Sequence, residues 1–284
     1  IIHKLSKEEK KHHIKAEIAD SDANSLYPSA MFSMNGFIKG LPKVLTQDNI
    51  ENFESFKSTI DEYYIKILVT KIGKERSFPL LSIVDDKTKV RNFTNDIVGQ
   101  YFYVDRVSLE DVIEFQQIEY EIIQGYYFNE GYNKTINDTI KELYDLRTLY
   151  KKVGNPIEQV YKLIMNSAYG KTIQKPIKKN DKFIKGNMEV QHKFIYKNYN
   201  HIDTYTQINE TLWHYKMNKS VNEHFSRVHI GVNILSMSKR IMNEVICLAE
   251  DNDIKVYYQD TDSLHLDFNK TKDLADLYRK KFNK

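Results

Sequence analysis

Two neighbouring segments of the chain carry apolar residues at every third or fourth position, which predicts two consecutive helices. The first covers about residues 135–153, and the second begins at Pro156, a residue suited to the first turn of a helix. Gly154 and Asn155 separate the two patterns, and so short a turn predicts an antiparallel helical hairpin. The predicted inward faces are Ile136, Ile140, Leu143, Arg147 and Tyr150 on the first helix, and Ile157, Val160, Tyr161, Ile164 and Ala168 on the second.

Other patterns predict a long amphipathic helix over residues 227–251 and a helix that begins at the capping-box spacing of residues 108–111. A short helical turn is expected near residues 24–31. Segments rich in β-branched and aromatic residues predict strands at 15–22, 63–71, 78–84 and 100–104. Residues 254–258 and 264–268 would form a hairpin with its turn at 259–262. Strands and helices therefore alternate, which is typical of an α+β layered domain.

Residues 171–221 are polar, aromatic and Lys-rich, and they predict a β-rich insertion. The chain as a whole is 41% hydrophobic and 29% charged, as expected of a folded globular protein, and its net charge of +3 does not by itself identify a nucleic-acid binder. No apolar run reaches the roughly 20 residues that a membrane span needs.

The single cysteine, Cys247, excludes a disulfide within the chain and a zinc site built from cysteines. It lies in the apolar pattern of a helix, so we expect a buried thiol, and a reducing intracellular compartment suits it. His3, His12 and His13 have no acidic or cysteine partner at regular spacing, and no metal site is predicted there.

Asp260 and Asp262 lie two residues apart at the predicted hairpin tip. Two carboxylates on one tight turn repel each other, and a cation between them relieves the repulsion. Oxygen ligands of this kind suit Mg²⁺, which binds few carboxylates together with substrate phosphates. The alternative is a solvated acidic turn.

Asp22 ends a predicted strand, a usual position for a metal ligand. Alternatively, Asp22 or Asn24 caps the following helical turn, whose first amides suit a phosphate. On the second helix of the hairpin, Lys162, Asn166 and Tyr169 share one face. A cation and an aromatic ring in a row suit the phosphates and base of a nucleotide, although a solvated helix face has the same pattern.

Three segments together resemble the family B DNA polymerases. DANSLYPS at 22–29, KLIMNSAYG at 162–170 and YQDTDS at 258–263 are similar to the family motifs D-x-x-S-L-Y-P-S, K-x-x-x-N-S-x-Y-G and Y-x-D-T-D-S, in the same order. The resemblance covers residues 15–268 and is greatest to the organellar, plasmid and viral branch, which includes protein-primed polymerases of the phage phi29 kind. Residues 104–128 resemble, more loosely, the segment that follows the first terminal-protein-type insertion of that branch.

This resemblance implies an α+β fold with a polymerase palm (an antiparallel sheet with packed helices), a two-helix fingers hairpin and a β-rich insertion. The implied parts are the first palm portion at 1–132, the fingers at 133–170, the insertion at 171–225 and the second palm portion at 226–284. An exonuclease domain and a thumb, usual in the family, are expected to be absent from this chain.

The resemblance also implies a role for each matching residue. Asp22 and Asp262 would hold two Mg²⁺ ions, for which Mn²⁺ substitutes, with Asp260 as a further catalytic carboxylate. Tyr27 would be the steric gate against a ribose 2′-hydroxyl. The nucleotide would be bound by Ser25, Leu26, Tyr27, Arg147, Lys151, Lys162, Asn166 and Tyr169, and the primer-template by Gly170, Tyr258, Thr261 and Ser263.

The implied function is that of a template-directed DNA polymerase core that adds deoxynucleotides to a primer 3′-hydroxyl in DNA replication. Primer-template DNA, dNTP and a terminal priming protein are the expected partners, and no membrane is expected. The alternative is a catalytically incomplete, nucleic-acid-binding remnant of such an enzyme. A reverse transcriptase or RNA polymerase is disfavoured by Tyr27 and by the Asp-Thr-Asp spacing, and a purely structural role leaves the three motifs unexplained.

Overall fold

The computed structural model describes residues 17–174, 178–220 and 227–283. The chain divides into two compact units, one made of the residues up to Tyr169 and from Val232 onward, and the other of Gly170–Gly231. The strands are β1 Ile18–Asp22, β2 Phe37–Ile38, β3 Lys43–Val44, β4 Glu62–Lys71, β5 Ser82–Val84, β6 Arg91–Phe93, β7 Tyr101–Asp105, β8 Glu119–Phe128, β9 Tyr132–Asn133, β10 Lys179–Lys185, β11 Ile202–Gln207, β12 Leu212–Asn218, β13 Val256–Asp260 and β14 Ser263–Asp267.

The α-helices are α1 Leu26–Ser33, α2 Gln47–Glu51, α3 Phe53–Phe56, α4 Arg106–Gln116, α5 Thr135–Lys152, α6 Ile157–Ile173, α7 Met188–Asn198, α8 Val228–Asp251 and α9 Thr271–Phe282. Single 3₁₀ turns occur at Lys57–Thr59, Tyr199–His201 and Phe268–Lys270. The antiparallel sheets and packed helices confirm the predicted α+β class. None of the helices within the described ranges is long and apolar enough to cross a membrane.

The larger sheet of the first unit has the strand order β3-β8-β4-β7, and all its neighbours are antiparallel. Alternate residues of β4 (Tyr63, Ile65, Ile67 and Val69) are buried in the core that α4 covers. The side chains of a strand alternate between faces, so this spacing turns one face of β4 inward. The strand predicted at 63–71 is therefore confirmed.

The smaller sheet of this unit has the order β1-β14-β13. Leu264 and Leu266 of its central strand pack in a second apolar cluster with Met242 of α8 and Leu274 of α9. The predicted C-terminal hairpin and the predicted long helix are both present. The strand predicted at 15–22 is confirmed from Ile18, whereas residues 15 and 16 and the three N-terminal histidines lie outside the described residues.

Three sequence-based expectations for this unit were wrong in detail. Helix α4 begins at Arg106, because the Asp105 side chain accepts a hydrogen bond from the Ser108 amide (3.0 Å) and is the N-cap. The strand predicted at 78–84 is confined to Ser82–Val84, since Pro79 has no amide hydrogen for a strand ladder.

The helical hairpin is present, but the inward face of α6 differs from the predicted one. Ile157, Val160 and Ile164 are exposed, whereas Met165 is fully buried. The inward face is instead the row Tyr161, Met165, Ala168 and Tyr169, in which Tyr161 stacks on Tyr150 of α5 with 5.7 Å between ring centroids. A polar and aromatic contact, rather than the apolar pattern, therefore orients this helix.

The second unit contains a three-stranded antiparallel sheet of order β10-β12-β11 and the helix α7. The sequence predicted strands and turns here and missed α7, which Asn187 caps by accepting a hydrogen bond from the Val190 amide (3.2 Å). Tyr215 is fully buried and donates to Gln191 of α7 (2.9 Å), so the helix covers one face of the sheet. The division into four parts predicted from the motifs stays a prediction.

Candidate active site

The C-terminal hairpin brings two of the predicted carboxylates into one row. Asp22 at the end of β1 is opposite Ser263, and Ser263 is opposite Asp260 of β13. Directly opposed residues of an antiparallel sheet share a face, so both carboxylates project from the same face. Asp22 and Asp260 are exposed, whereas the neighbouring Leu264 is buried on the other face.

Asp262 occupies the two-residue turn between β13 and β14. Its carbonyl oxygen accepts a hydrogen bond of 2.7 Å from the Ala23 amide, which ties the turn to the residue after Asp22. Thr261 has a left-handed φ of 50°, the conformation that tight hairpin turns require. The Thr261 hydroxyl donates to the Asp260 carboxylate (3.1 Å), and the Ser263 hydroxyl donates to the Asp260 carbonyl (3.2 Å).

Within residues 17–174, 178–220 and 227–283, no group of three or more His, Cys, Asp or Glu side chains forms a ready metal-binding cluster. The donor set nevertheless fits Mg²⁺, because this ion needs only one or two carboxylates when substrate phosphates supply further oxygens. The choice of Asp22 and Asp262 as the ligands stays a prediction.

The segment after Asp22 changes direction at Ser25, whose φ of 53° is left-handed, and α1 begins at Leu26. No side chain caps the first turn of α1, so the predicted capping by Asp22 or Asn24 was wrong. The Asn24 carbonyl instead accepts a hydrogen bond from the Ser29 hydroxyl (2.9 Å). The partial positive charge at this helix start is therefore directed at whatever lies in front of it.

Arg147 of α5 reaches the start of α1, since its Nη1 donates to the Ser25 hydroxyl oxygen at 2.5 Å. Its Nε is 3.2 Å from the carboxylate of Glu158 on α6, and both side chains are largely buried. The sequence analysis included Arg147 and Ser25 but missed Glu158. A charge opposite Arg147, eleven residues away across the predicted turn, was the available signal.

Tyr27 and Tyr169 are the second pair of predicted residues that the fold brings together. Their rings stack with 4.2 Å between centroids and 11° between planes. Burial, and secondarily the neighbouring Tyr27 hydroxyl, raise the pKa of Tyr169. Lys162 and Asn166 are exposed on α6, and Lys151 is exposed near the end of α5.

The two remaining predicted residues differ in their surroundings. Tyr258 of β13 is 53% exposed, on the same strand as Asp260. Gly170 is exposed at the beginning of the second unit, and a Cβ atom there would meet no atom within 4 Å. The sequence analysis did not single out two further polar residues of the small sheet, Asp20 and His265, although strand alternation places them on the face of Asp22.

Comparison with known proteins places these features in a family. Residues 4–253 match the family described as DNA polymerase type B, organellar and viral. The chain is 30% identical over 164 residues to a DNA polymerase of Acidianus bottle-shaped virus, covering 53% of this chain and 22% of that protein. It is 24% identical over 257 residues to a DNA polymerase of Kluyveromyces lactis, covering 86% of this chain and 23% of that protein. The chain thus spans less than a quarter of the length of either relative.

Among solved structures, a Phi29 DNA polymerase complexed with primer-template DNA and incoming nucleotide substrates has a TM-score of 0.53 and 18% identity. The match covers 88% of this chain and 38% of that one. An orthorhombic crystal form of the Phi29 DNA polymerase has a TM-score of 0.51 and 20% identity, with the same coverage of both chains. These likenesses show the fold, and the family match shows that this chain belongs to the organellar and viral type B DNA polymerases.

Proposed function

We propose that this chain carries the nucleotidyl-transfer centre of a template-directed DNA polymerase, which adds deoxynucleotides to a primer 3′-hydroxyl in DNA replication. The observation that carries the proposal is the row Asp22–Ser263–Asp260, which collects carboxylates from two motifs distant in sequence. In this proposal the small sheet belongs to the palm, and α5 and α6 form the fingers.

Asp22, Asp260 and Asp262 would hold two Mg²⁺ ions, with Mn²⁺ as a substitute. When bound, two such ions about 3.5–4 Å apart lower the pKa of the attacking hydroxyl and stabilise charge on the leaving pyrophosphate. The chain's own contribution is to hold these carboxylates on paired strands, where the backbone bond from Ala23 to Asp262 fixes their separation along the sheet.

The triphosphate would lie in front of α1, where the amides of Ser25 and Leu26 have no side-chain cap. Arg147 supplies a guanidinium at this helix start, and Lys151 and Lys162 are exposed cations on the same helical hairpin. A guanidinium binds two phosphate oxygens at once, which favours a fixed orientation of the triphosphate.

Tyr27 would exclude ribonucleotides by filling the space of a 2′-hydroxyl, with its ring held by the stack on Tyr169. Asn166 and Tyr169 would shape the pocket of the new base pair. A Tyr27→Val variant is therefore expected to incorporate ribonucleotides at least tenfold more readily relative to deoxynucleotides. Tyr103→Val, which replaces a highly exposed tyrosine, is the control. Unchanged sugar selection in Tyr27→Val would refute the gate assignment.

Primer-template DNA and dNTP are the proposed partners, supported by the similarity to the Phi29 enzyme that binds both. Gly170, Tyr258, Thr261 and Ser263 would contact the primer-template. A terminal priming protein remains a prediction from the motifs. The second candidate function is a catalytically incomplete remnant that binds nucleic acid, which would show salt-sensitive DNA binding without incorporation.

Primer extension on a short primer-template at low salt, with Mg²⁺ or Mn²⁺, tests the proposal. The wild-type chain should extend the primer, and Asp262→Asn should reduce extension at least a hundredfold. The matched control is Asp86→Asn, since Asp86 lies in a fully exposed turn. DNA binding without extension by the wild type would favour the remnant, and equal extension by Asp262→Asn would refute the metal-site assignment.

A further inference from the structure

The small sheet carries a second polar row beside the row of carboxylates. Asp20 of β1 is opposite His265 of β14, and His265 is opposite Tyr258 of β13. His265 lies two residues beyond Ser263, so the two rows share one face of the sheet. At about 3.4 Å per residue, the rows are about 7 Å apart.

The members of this second row contact one another. The His265 Nε2 is 3.4 Å from a carboxylate oxygen of Asp20, and its ring centroid is 5.2 Å from that of Tyr258. The side chain of His265 is 39% exposed and that of Asp20 is 70% exposed. His265 is on the central strand, where hydrogen bonds to both neighbours fix its backbone, so an accessible ring has a defined position.

We infer that His265, oriented by Asp20, binds a phosphate oxygen of the primer strand one linkage before the 3′ end. The inference rests on the proposed function, because the carboxylate row defines where that end lies. The adjacent row then faces the preceding sugar and phosphate. Asp20 accepts one ring N–H, and the second ring nitrogen, when protonated, donates to the phosphate, so that the ring bridges two anions.

His265 is thus a positioning residue, and it should affect primer binding more than the chemical step. The variant His265→Leu keeps the bulk of the ring but removes both donors. We expect it to raise the KM for primer-template about tenfold, the loss typical of one charge-assisted hydrogen bond, and to leave kcat within about threefold. His265→Gln has an NH₂ group that can donate to Asp20 and to a phosphate together, so it should restore most of the affinity. His192→Leu, at an exposed histidine of α7, is the control.

A primer with a neutral methylphosphonate at its last linkage identifies the contact. The wild-type chain should bind this primer about tenfold more weakly than the normal primer, and His265→Leu should show no additional loss. Moving the methylphosphonate six linkages upstream should restore the full difference between wild type and variant. Losses that simply multiply at the last linkage would refute the contact, since independent sites are additive.

The charged and titratable groups on this face are Asp20, Asp22, Tyr258, Asp260, His265 and Asp267. An ordinary histidine gains its second proton as the pH falls from 8 to 6. The affinity advantage of the wild type over His265→Leu should therefore grow over that range, whereas the advantage of His265→Gln should not change. An advantage that is independent of pH in both would refute the bridging role.

Fluorescence anisotropy of a labelled primer-template separates this inference from the proposed function. DNA binding that depends on His265 and on the last phosphate, without extension, would support the contact and refute catalysis by this chain. Normal extension with no effect of His265→Leu on KM or on anisotropy would refute the contact alone.

Discussion

The buried carboxyl of Glu62 should make the stability of the first unit depend on pH. Glu62 begins β4, and its Oε1 accepts hydrogen bonds from the amides of Tyr63 (3.0 Å) and Arg106 (3.2 Å). Its Oε2 is 2.6 Å from the Nδ2 of Asn233 on α8. Burial, and secondarily the nearby Asp105 carboxyl, raise the pKa of Glu62 from 4.5 to about 8.

The sign of the effect follows from comparing the folded and unfolded chains. Below pH 4.5, Glu62 is protonated in both states and ionisation costs nothing. Between pH 4.5 and 8, the unfolded chain releases this proton and the folded chain keeps it, so the free energy of unfolding falls as the pH rises. At 1.36 kcal/mol per pH unit, the loss from this group reaches about 5 kcal/mol above pH 8.

Glu62→Gln should remove this loss because a glutamine resembles the protonated acid. The Asn233 amide also contacts the Tyr64 hydroxyl. A half-turn of that amide presents its oxygen to Gln and its NH₂ to the Tyr64 oxygen, so every polar group keeps a partner. Urea denaturation followed by circular dichroism should find the two proteins within about 1 kcal/mol at pH 5 and the variant about 4 kcal/mol more stable at pH 8.5.

The matched control is Glu121→Gln on the neighbouring β8, where the side chain is exposed. Hydrogen exchange of the buried Ile65 and Ile67 amide groups reports on the unit that contains Glu62. Burial also raises the pKa of Asp105, but this residue is present in both proteins. Parallel stability curves for wild type and Glu62→Gln between pH 5 and 8.5 would refute the reasoning.

Three further predictions concern the packing of the fold. Arg76→Met should cost about 3 kcal/mol, because the Arg76 side chain is 2% exposed and its ion pair with Asp251 (2.5 Å) is lost; urea denaturation measures the change. Asn187→Ala should destabilise the second unit by about 1 kcal/mol through loss of the α7 cap, detected as faster hydrogen exchange there. Gly125→Ala should cost about 1–3 kcal/mol, since the new Cβ would lie 2.7 Å from the Tyr64 carbonyl oxygen, and a lower thermal midpoint would show it.

Elements with one buried face could be predicted from the sequence. The alternation of β4 and the helical spacing of α8 each encode a partner surface, and both elements appear within two residues of their expected bounds. Helix α7 was missed because its start depends on one side-chain bond from Asn187, and its aromatic residues also suit strands. The inward face of α6 was wrong because the Arg147–Glu158 ion pair and the Tyr150–Tyr161 stack determine it, and neither appears in an apolar pattern.

The candidate site was predictable as a set of residues but not as an arrangement. The motifs named Asp22 and Asp260, yet their shared row depends on a pairing between strands more than 230 positions apart. Asp20 and His265 belong to no motif that resembles the family. Only the register of β1 against β14 reveals that they face the same side as the predicted carboxylates.

That register is held by the apolar side of the same strand. Leu264 and Leu266 are almost fully buried, and each stabilises the fold by about 1.5–3 kcal/mol. A slip of β14 by one residue would expose both leucines and turn Ser263 and His265 toward the core. Because a buried charge without a partner costs more than an exposed leucine, the slipped state is disfavoured on both faces. The positions of the carboxylate row and of His265 therefore follow from the packing of two leucines that have no part in the chemistry.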